Sequence, residues 1–414
     1  MAGIVIVGGA MTGGNAAATL REEGYRDGVT MVSPEPGEPF GRPPLSKGYL
    51  RSEEELAAWY VRPAGWYEAH DVDRIASSAA VIDTAAHTIR LDSGQELGYR
   101  QVLIATGGRN RKLRLPGAGL PGVHYLRTVA DCEAIKRAAV PGRRAVIIGM
   151  SFIGSEVAAS LTQLGVHVTT IFPGKYPLER VLGGEVGAVF GGMHRANGVE
   201  LLAGQEVAGF EGTGRVEAVT TASGTRVPCD FVVAGVGIEP AVPAIAGQPV
   251  EQDNGILVDD RCRASAPDVW AAGDVARIQH PMFGRVRVEH YNNAEKQGAA
   301  AARSMLGSDA PYDYLYTFWS DQYEHKLEYA GYVTRWDEFV VRGSLDGGFL
   351  GFYLVKGVVR AAVGLDRGGD PELDPDREMA AAARLVAAQA RPRAGLLADE
   401  RVDLASLVPS AGPG

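Results

Sequence analysis

Residues 4–47 read IVIVGGAMTGGNAAATLREEGYRDGVTMVSPEPGEPFGRPPLSK, and the first half of this stretch decides the fold class. Ile4-Val5-Ile6-Val7 is an unbroken apolar run, which predicts a strand buried on both faces. Gly8, Gly9, Gly13 and Gly14 follow, and then Asn15–Glu23 predicts a helix from its alanine run, Leu20 and charged end. Strand, glycine turn and helix make the first half of a dinucleotide-binding unit. Gly8 permits the tight turn and Gly13 lets the helix pack close to the strand. The first N–H groups of the helix face a pyrophosphate, helped by about half a positive charge from the helix dipole. The candidate phosphate loop is therefore Gly8, Ala10, Met11, Thr12 and Gly13. Ala10 holds the middle glycine place, and its methyl narrows the approach. A second strand, Val29–Val32, comes at the spacing the motif requires, and Glu35 just beyond it can take a ribose hydroxyl. Alone, the glycine pattern also fits a strand-to-helix turn of another α/β protein.

A second copy of the pattern removes most of that ambiguity. AVIIGMSFIG at 145–154 precedes a predicted helix, Ser155–Leu164, and a predicted strand, Val166–Phe172. Gly149 and Gly154 hold the outer glycine places and Ser151 the middle one. Two such units in one chain imply two nucleotides.

The length of 414 residues leaves room for two to three domains. A chain 46% hydrophobic and 22% charged has the balance of a globular protein with a sizeable core. A net charge of −9 argues against a general nucleic-acid surface. No apolar run approaches the ~18 residues of a membrane span, and no basic-then-apolar leader opens the chain. Cys132, Cys229 and Cys262 are too far apart for a C-x-x-C redox pair or a cysteine metal cluster. They read as plain thiols in a reducing cytosol, and no metal site is expected.

Further along, Pro34–Lys47 is a stiff, proline-rich loop. It serves equally well to hold Arg42 and Lys47 beside a ligand or to form a solvated surface loop. Leu50–His70 predicts a helix and a turn, and Val72–Gly94 a small antiparallel sheet. The strand ending Val102–Ala105 runs into Thr106-Gly107-Gly108, where backbone can approach a ligand. A basic cluster, Arg109, Arg111, Lys112 and Arg114, precedes a domain boundary at Pro116-Gly117. Phe231–Gly237 and Val269–Ala272 predict two more buried strands, each leaving through glycine. Asp274 can accept from a polyol chain or cap the segment after it, two readings of equal weight. Val288–Leu306 becomes an alanine-rich helix. From Pro311 onward, strand-like runs at 338–342, 349–355 and 358–363 with hairpin signals between them predict a third, antiparallel-plus-helix domain ending near Leu407. Val408–Gly414 reads as a frayed tail.

At this point VGGAMTGG, RPPLSK, LIATGG, LPGVHYLRT, IIGMSFIGSEVAASL, GVGIEP, VWAAGDVA, VEHYNNAEKQG and FWSDQY carry a resemblance over nearly the whole chain. The chain resembles the FAD-dependent pyridine-nucleotide reductases that feed electrons to ferredoxins and rubredoxins of oxygenase systems. It is also similar to the apoptosis-inducing-factor branch. RPPLSK and FWSDQ are much more specific than the glycine motifs.

The resemblance implies an α/β protein with two Rossmann-like dinucleotide-binding domains and a C-terminal α+β domain. The FAD-binding domain would be discontinuous, 1–110 and 241–310. The NAD(P)-binding domain would span 111–240 and the C-terminal reductase domain 311–414. Gly8, Gly13 and Glu35 would hold the adenosine and pyrophosphate of FAD; Arg42, Thr106, Gly107 and Arg127 would contact it; and Asp274 would bind its ribityl chain. His290, Tyr291 and Trp319 would line the flavin ring. Lys47 would pair with Glu156 near flavin N5, as the catalytic pair. Gly149, Ser151, Phe152, Ile153, Gly154 and Gly237 would hold NADH or NADPH, with Glu289 near the carboxamide. Besides the two replaced middle glycines, Pro34 leaves Glu35 as a single carboxylate for the ribose. Tyr291 stands where many relatives have tryptophan or histidine. After the second strand, Phe172-Pro173-Gly174-Lys175 carries no acid for a ribose 2′-hydroxyl, and Lys175 would suit a 2′-phosphate or be a solvated turn residue.

The implied activity is NAD(P)H:ferredoxin or rubredoxin oxidoreduction, serving a cytochrome P450 or Rieske oxygenase. Two other readings stand beside it: a flavoenzyme reducing a small molecule or oxygen, and a redox-responsive binding protein of the apoptosis-inducing-factor kind. The expected protein is cytoplasmic, monomer or homodimer, with an iron–sulfur carrier as partner and neither nucleic acid nor membrane.

Overall fold

A computed structural model describes residues 3–409. The chain divides into two compact units. One takes the residues up to Pro44, Glu54–Arg111 and Ile238–Tyr314; the other takes Leu45–Glu53, Lys112–Gly237 and the residues from Leu315 onward.

In the first unit Ile4–Val7 is buried along its whole length, as an apolar run at the centre of a sheet must be. It lies in the middle of a five-stranded parallel sheet ordered Val269–Ala271, Gln101–Ile104, Ile4–Val7, Val29–Ser33, Val72–Ala76. The register pairs Val7 with both Val32 and Ile104, so the carboxyl ends of the central strands lie level. Ligands of open parallel sheets bind beyond that edge. The helix Met11–Glu22 packs against the helix Tyr291–Met305. It begins four residues before the predicted Asn15, because Ala10 already has the extended backbone of an N-cap.

One strand departs from expectation. Val72–Ala76 joins the parallel sheet beside Val29–Ser33, rather than an antiparallel one. It is an edge strand whose Asp73 and Arg74 are exposed, so its polarity mimics a half-buried antiparallel strand. The antiparallel sheet begins only at Ala79–Asp83 and continues through Thr88–Leu91 and Glu96–Gly98. Ala244–Ala246 adds to it in parallel.

The second unit repeats the scheme. Its parallel sheet runs Glu200–Ala203, His167–Phe172, Arg144–Ile148, Phe231–Ala234, Val123–Tyr125. The helix Phe152–Gln163 follows the central strand, again starting earlier than predicted. A five-stranded antiparallel sheet forms from Thr317–Gln322, His325–Gly331, Val358–Leu365, Phe349–Val355 and Glu338–Gly343. One set of its side chains, including Leu350, Phe352 and Ala362, packs on the helix Glu378–Ala387. The other set, including Phe318, Tyr329, Phe349 and Tyr353, packs on Leu182, Val186 and Phe190 of the helix Glu179–Ala196. The expected third domain thus shares a core with the helix Glu179–Ala196, which leads into the edge strand of the second parallel sheet. Val408 packs on that core rather than fraying, and the expected tail from Ser410 onward lies outside the described residues.

Candidate functional site

The first unit builds a glycine-lined cradle at the carboxyl edge of its parallel sheet. Gly8 has φ +123°, and a Cβ there would lie 2.2 Å from Ala105 O. A Cβ on Gly13 would lie 1.8 Å from Gly8 O, so only glycine lets the helix seat on the turn. Ala10 offers no side-chain acceptor to the helix start, and the first turn holds no acid. The N–H groups of Met11, Thr12 and Gly13 therefore sit at a helix N-terminus suited to an anion. Thr106 Oγ1, beyond the neighbouring strand, is buried with no hydrogen-bond partner in the described structure. An orphaned hydroxyl beside a glycine-lined helix start fits a polar, phosphate-bearing cofactor. Gly107 follows with φ +65°.

The loop after the second strand brings Glu35 and Arg42 together. Arg42 Nη2 lies 2.7 Å from Glu35 Oε2 and Nη1 3.5 Å from Oε1. The proline-rich loop therefore folds back on itself, and its cation and carboxylate offset one another.

Asp274 sits in a single helical turn, Gly273–Val275, which is wedged against the helix Met11–Glu22. A Cβ on Gly273 would lie 2.3 Å from Thr12 Oγ1, and Gln297 Oε1 accepts Gly273 N–H at 2.7 Å. Arg287, which the sequence did not single out, donates to Asp274 O at 3.1 Å and pairs with Glu289 Oε1 at 2.6 Å. His290 is the N-cap residue of the helix Tyr291–Met305, and burial lowers its imidazole to about 4, so the ring is neutral at pH 7. Burial pushes the Tyr291 phenol up to about 12. Its ring meets Trp59 edge to face, and Gly41 has no side chain because a Cβ would lie 2.3 Å from Tyr291 Cε2.

The second unit carries its own cradle. Gly149 has φ +89°, and a Cβ there would lie 2.5 Å from Gly235 O. A Cβ on Gly154 would lie 2.0 Å from Gly149 O. Ser151 is the N-cap residue of the following helix but makes no side-chain cap, leaving that helix start, with Phe152 and Ile153, to an anion. Phe152 packs edge to face on Phe318, and Ile153 is 38% exposed. Gly237 has φ +95°. The geometry again fits a dinucleotide.

Lys47 and Glu156 meet in this unit, with Nζ 2.8 Å from Oε2. Two residues not singled out from the sequence complete the carboxylate: Ser46 Oγ donates to Oε2 at 2.6 Å and Ser320 Oγ to Oε1 at 2.7 Å. Ser320 belongs to the same FWSDQ motif as Trp319, which is the signal that points to it. Trp319 faces Glu328 across the ladder. Arg127 precedes the helix Val129–Ala138, whose capping box joins Thr128 and Asp131.

One expectation is corrected. The turn after the second strand does hold an acid: Glu179 folds back, and its Oε2 accepts Lys175 N–H at 2.9 Å and Tyr176 N–H at 3.2 Å. The same oxygen lies 3.3 Å from where a Cβ on Gly174 would be. Local sequence does not reveal it, because it is seven positions past the strand end and returns through the αL backbone of Leu178, φ 58°. Lys175 Nζ lies 4.9 Å from the Tyr176 ring centre. In the basic cluster, Arg109 pairs with Glu239 at 2.7 Å and Arg111 Nε donates to Ile238 O. Separately, Lys112 lies over the Tyr125 ring. The three cysteines are buried, and burial pushes Cys132 and Cys229 up to about 12, so neither is a ready nucleophile.

The chain is similar to known proteins over nearly its whole length. Residues 2–298 match the family described as pyridine nucleotide-disulphide oxidoreductase, and residues 317–408 match the reductase C-terminal family. The chain is 34% identical, over 98% of both proteins, to the ferredoxin–NAD(+) reductase component of the biphenyl dioxygenase system of Paraburkholderia xenovorans. It is 37% identical to the rhodocoxin reductase of Rhodococcus erythropolis, over 86% of this chain and 84% of that protein. The reductase in the covalent putidaredoxin reductase–putidaredoxin complex superposes with a TM-score of 0.90 at 32% identity, covering 98% of each chain. The ferredoxin reductase of the CYP199A2 system from Rhodopseudomonas palustris gives a TM-score of 0.91 at 28% identity, over 99% of this chain and all of that one.

Proposed function

This chain belongs to the pyridine nucleotide-disulphide oxidoreductase family, and from that premise we propose that it is an FAD-dependent NAD(P)H:ferredoxin oxidoreductase. The observation that carries the reading is the end-to-end match to oxygenase-system reductases, in a chain that keeps both glycine cradles. The family's name mentions a disulphide, but the buried, isolated thiols give this chain no redox dithiol among the described residues.

FAD, when bound, supplies the exchange between a hydride pair and single electrons. The rest is assigned to the chain's own residues. Met11, Thr12 and Gly13 would bind the pyrophosphate through N–H groups, with Gly8 and Ala10 shaping the turn. Thr106 would donate its orphaned hydroxyl, with Gly107 and Arg127 as further contacts and Asp274 at the ribityl hydroxyls. The Glu35 carboxylate would take ribose while holding Arg42. His290, Tyr291 and Trp319 would line the ring as neutral groups that exclude water. Lys47 would place a positive charge where negative charge develops on the ring, and Glu156 would hold it there. Gly149, Ser151, Phe152, Ile153, Gly154 and Gly237 would hold the nicotinamide nucleotide, with Lys175 at its ribose end and Glu289 at its carboxamide.

The proposed domains are 1–110 with 241–310 for FAD, 111–240 for NAD(P)H and 311–414 for the C-terminal part. The first compact unit, with its breaks near 111 and 238, supports the discontinuous FAD domain. Among the described residues no helix is long and apolar enough to cross a membrane, and we assign a cytoplasmic monomer or homodimer.

Anaerobic stopped-flow mixing with NADH and NADPH tests the donor side: saturating bleaching of the flavin is expected with at least one. Aerobic turnover with a panel of [2Fe–2S] ferredoxins tests the acceptor side, with ferricyanide as control. Reduction of ferricyanide but of no ferredoxin would sink the carrier role.

A further inference from the structure

Behind the Lys47–Glu156 pair the second unit holds an unbroken chain of buried polar side chains. Ser320 Oγ lies 2.7 Å from Glu156 Oε1, and Gln322 Nε2 lies 3.3 Å from Ser320 Oγ. Ser155 Oγ lies 2.8 Å from Gln322 Oε1 and 2.7 Å from His194 Nε2. His194 Nδ1 lies 2.9 Å from Tyr323 OH. Ser155 and His194 are wholly buried, and Ser320 and Gln322 are 1% exposed. A polar chain in a core is tolerated only when every group is satisfied.

Hydrogen-bond bookkeeping allows one polarity. A carboxylate only accepts, so the single hydrogen of Ser320 points at Glu156. Ser320 must then accept from the amide of Gln322, which turns Gln322 Oε1 toward Ser155. A carbonyl oxygen only accepts, so Ser155 donates to it and has no hydrogen left for His194. His194 must therefore donate from Nε2. Burial keeps this imidazole neutral, lowering it to about 4, so Nδ1 is the lone-pair nitrogen and Tyr323 OH donates to it. Every hydrogen in the chain points toward Glu156. The opposite histidine tautomer would reverse Ser155, force the Gln322 amide to flip and draw the Ser320 hydrogen off Glu156.

We propose that His194 is a positioning residue for the Lys47–Glu156 pair. In its Nε2–H tautomer it sets the direction of the chain through Ser155, Gln322 and Ser320, and so holds the Glu156 carboxylate that carries Lys47. Tyr323 stabilises that tautomer by donating to the bare Nδ1. It is suited to do so because it sits in the turn between two antiparallel strands with φ 57°, a left-handed conformation that fixes where its hydroxyl falls. The kinetic consequence rests on the proposed placing of Lys47 at the flavin ring; the tautomer itself does not.

The test uses the oxidised holoprotein with ¹⁵N-labelled histidine. His194 is expected neutral, with Nε2 protonated and Nδ1 bare; an Nδ1–H signal overturns the chain. His194→Asn is too short to reach Ser155, and should slow flavin reduction by about tenfold to a hundredfold at unchanged half-saturating nucleotide. Its flavin midpoint potential should move in the same direction as that of Lys47→Met. His194→Gln, whose amide nitrogen stands in for Nε2–H, should recover most of the rate and the potential. Equal behaviour of the Asn and Gln variants overturns the proposal. If His194→Asn does not fold, Tyr323→Phe removes one hydroxyl only, and should bring the second tautomer into the spectrum and lower the rate; an unchanged spectrum is the contrary result. If Lys47→Met alters neither rate nor potential, the placing of Lys47 has failed, and the spectra alone decide the chain.

Discussion

Lys47 Nζ lies 2.8 Å from Glu156 Oε2, with the two side chains only 13% and 6% exposed. Taking one partner from such a pair strands a buried charge, which costs about 3–5 kcal/mol, whereas removing both costs much less. Lys47→Met should therefore lower the thermal midpoint more than the double variant Lys47→Met/Glu156→Gln does. Differential scanning calorimetry of the two against wild type checks this. A double variant that loses as much as Lys47→Met, or more, would mean that the pair adds nothing to the fold.

The Glu179 carboxylate bears on the choice between NADH and NADPH. It holds the turn at Lys175 and Tyr176, where the second nucleotide's ribose is proposed to lie, and adds negative charge beside Lys175. Glu179→Gln keeps an acceptor for both N–H groups and removes the charge. It should raise kcat/KM for NADPH relative to NADH by about tenfold, about 1.4 kcal/mol. Lys175→Ala should shift the ratio the other way. Steady-state kinetics with both donors reads the two ratios; if neither moves, the 2′ position lies elsewhere.

The parts of this chain legible from sequence are those coded by local pattern. Ile4–Val7 and Ala145–Ile148 are apolar runs ending in glycine, and both lie in the middle of parallel sheets. Val72–Ala76 looks antiparallel in sequence because an edge strand exposes one face whatever the direction of its neighbour. At the site, the glycines were readable since each one's need is set by the backbone a few residues away. Ser46, Ser320, Arg287 and Glu179 were not, because their partners come from distant segments or from a chain reversal. His194 is the clearest case: one histidine in an ordinary helix, whose meaning depends on Ser155 and Tyr323.

The helices Met11–Glu22 and Tyr291–Met305 meet at Thr12 and Gly298. A Cβ on Gly298 would lie 2.3 Å from Thr12 O, a backbone atom that cannot swing aside. Gly298→Ala must part the helices, at a cost of about 1–3 kcal/mol for overpacking. Since Thr12 belongs to the proposed phosphate loop, FAD content of the purified protein should fall together with the thermal midpoint. The neighbouring Ala299→Gly change, which adds no atom, should leave FAD content unchanged. Full FAD occupancy in Gly298→Ala would separate this packing from cofactor binding.

Glu328, directly across the ladder from Trp319, supplies a pH dependence whose sign can be worked out. Burial first, then the charges of Asp370 and Asp321, raise its carboxyl to about 8, with Asp374 adding to the effect and Lys326 opposing it. The folded value lies above the ordinary 4.5 of the unfolded chain. Between these values the unfolded chain has released a proton that the folded one retains, so this group's contribution is complete below about 4.5 and is lost as pH rises through about 8. Glu328→Gln keeps the neutral shape and cannot ionise. Its thermal midpoint should match wild type in mild acid and exceed it increasingly toward pH 9. Tryptophan emission should titrate near pH 8 in wild type and lose that step in the variant, because a carboxylate then forms opposite Trp319. A midpoint difference that stays flat across the range would show that Glu328 is ionised throughout and that the acids around it are better solvated than their burial implies.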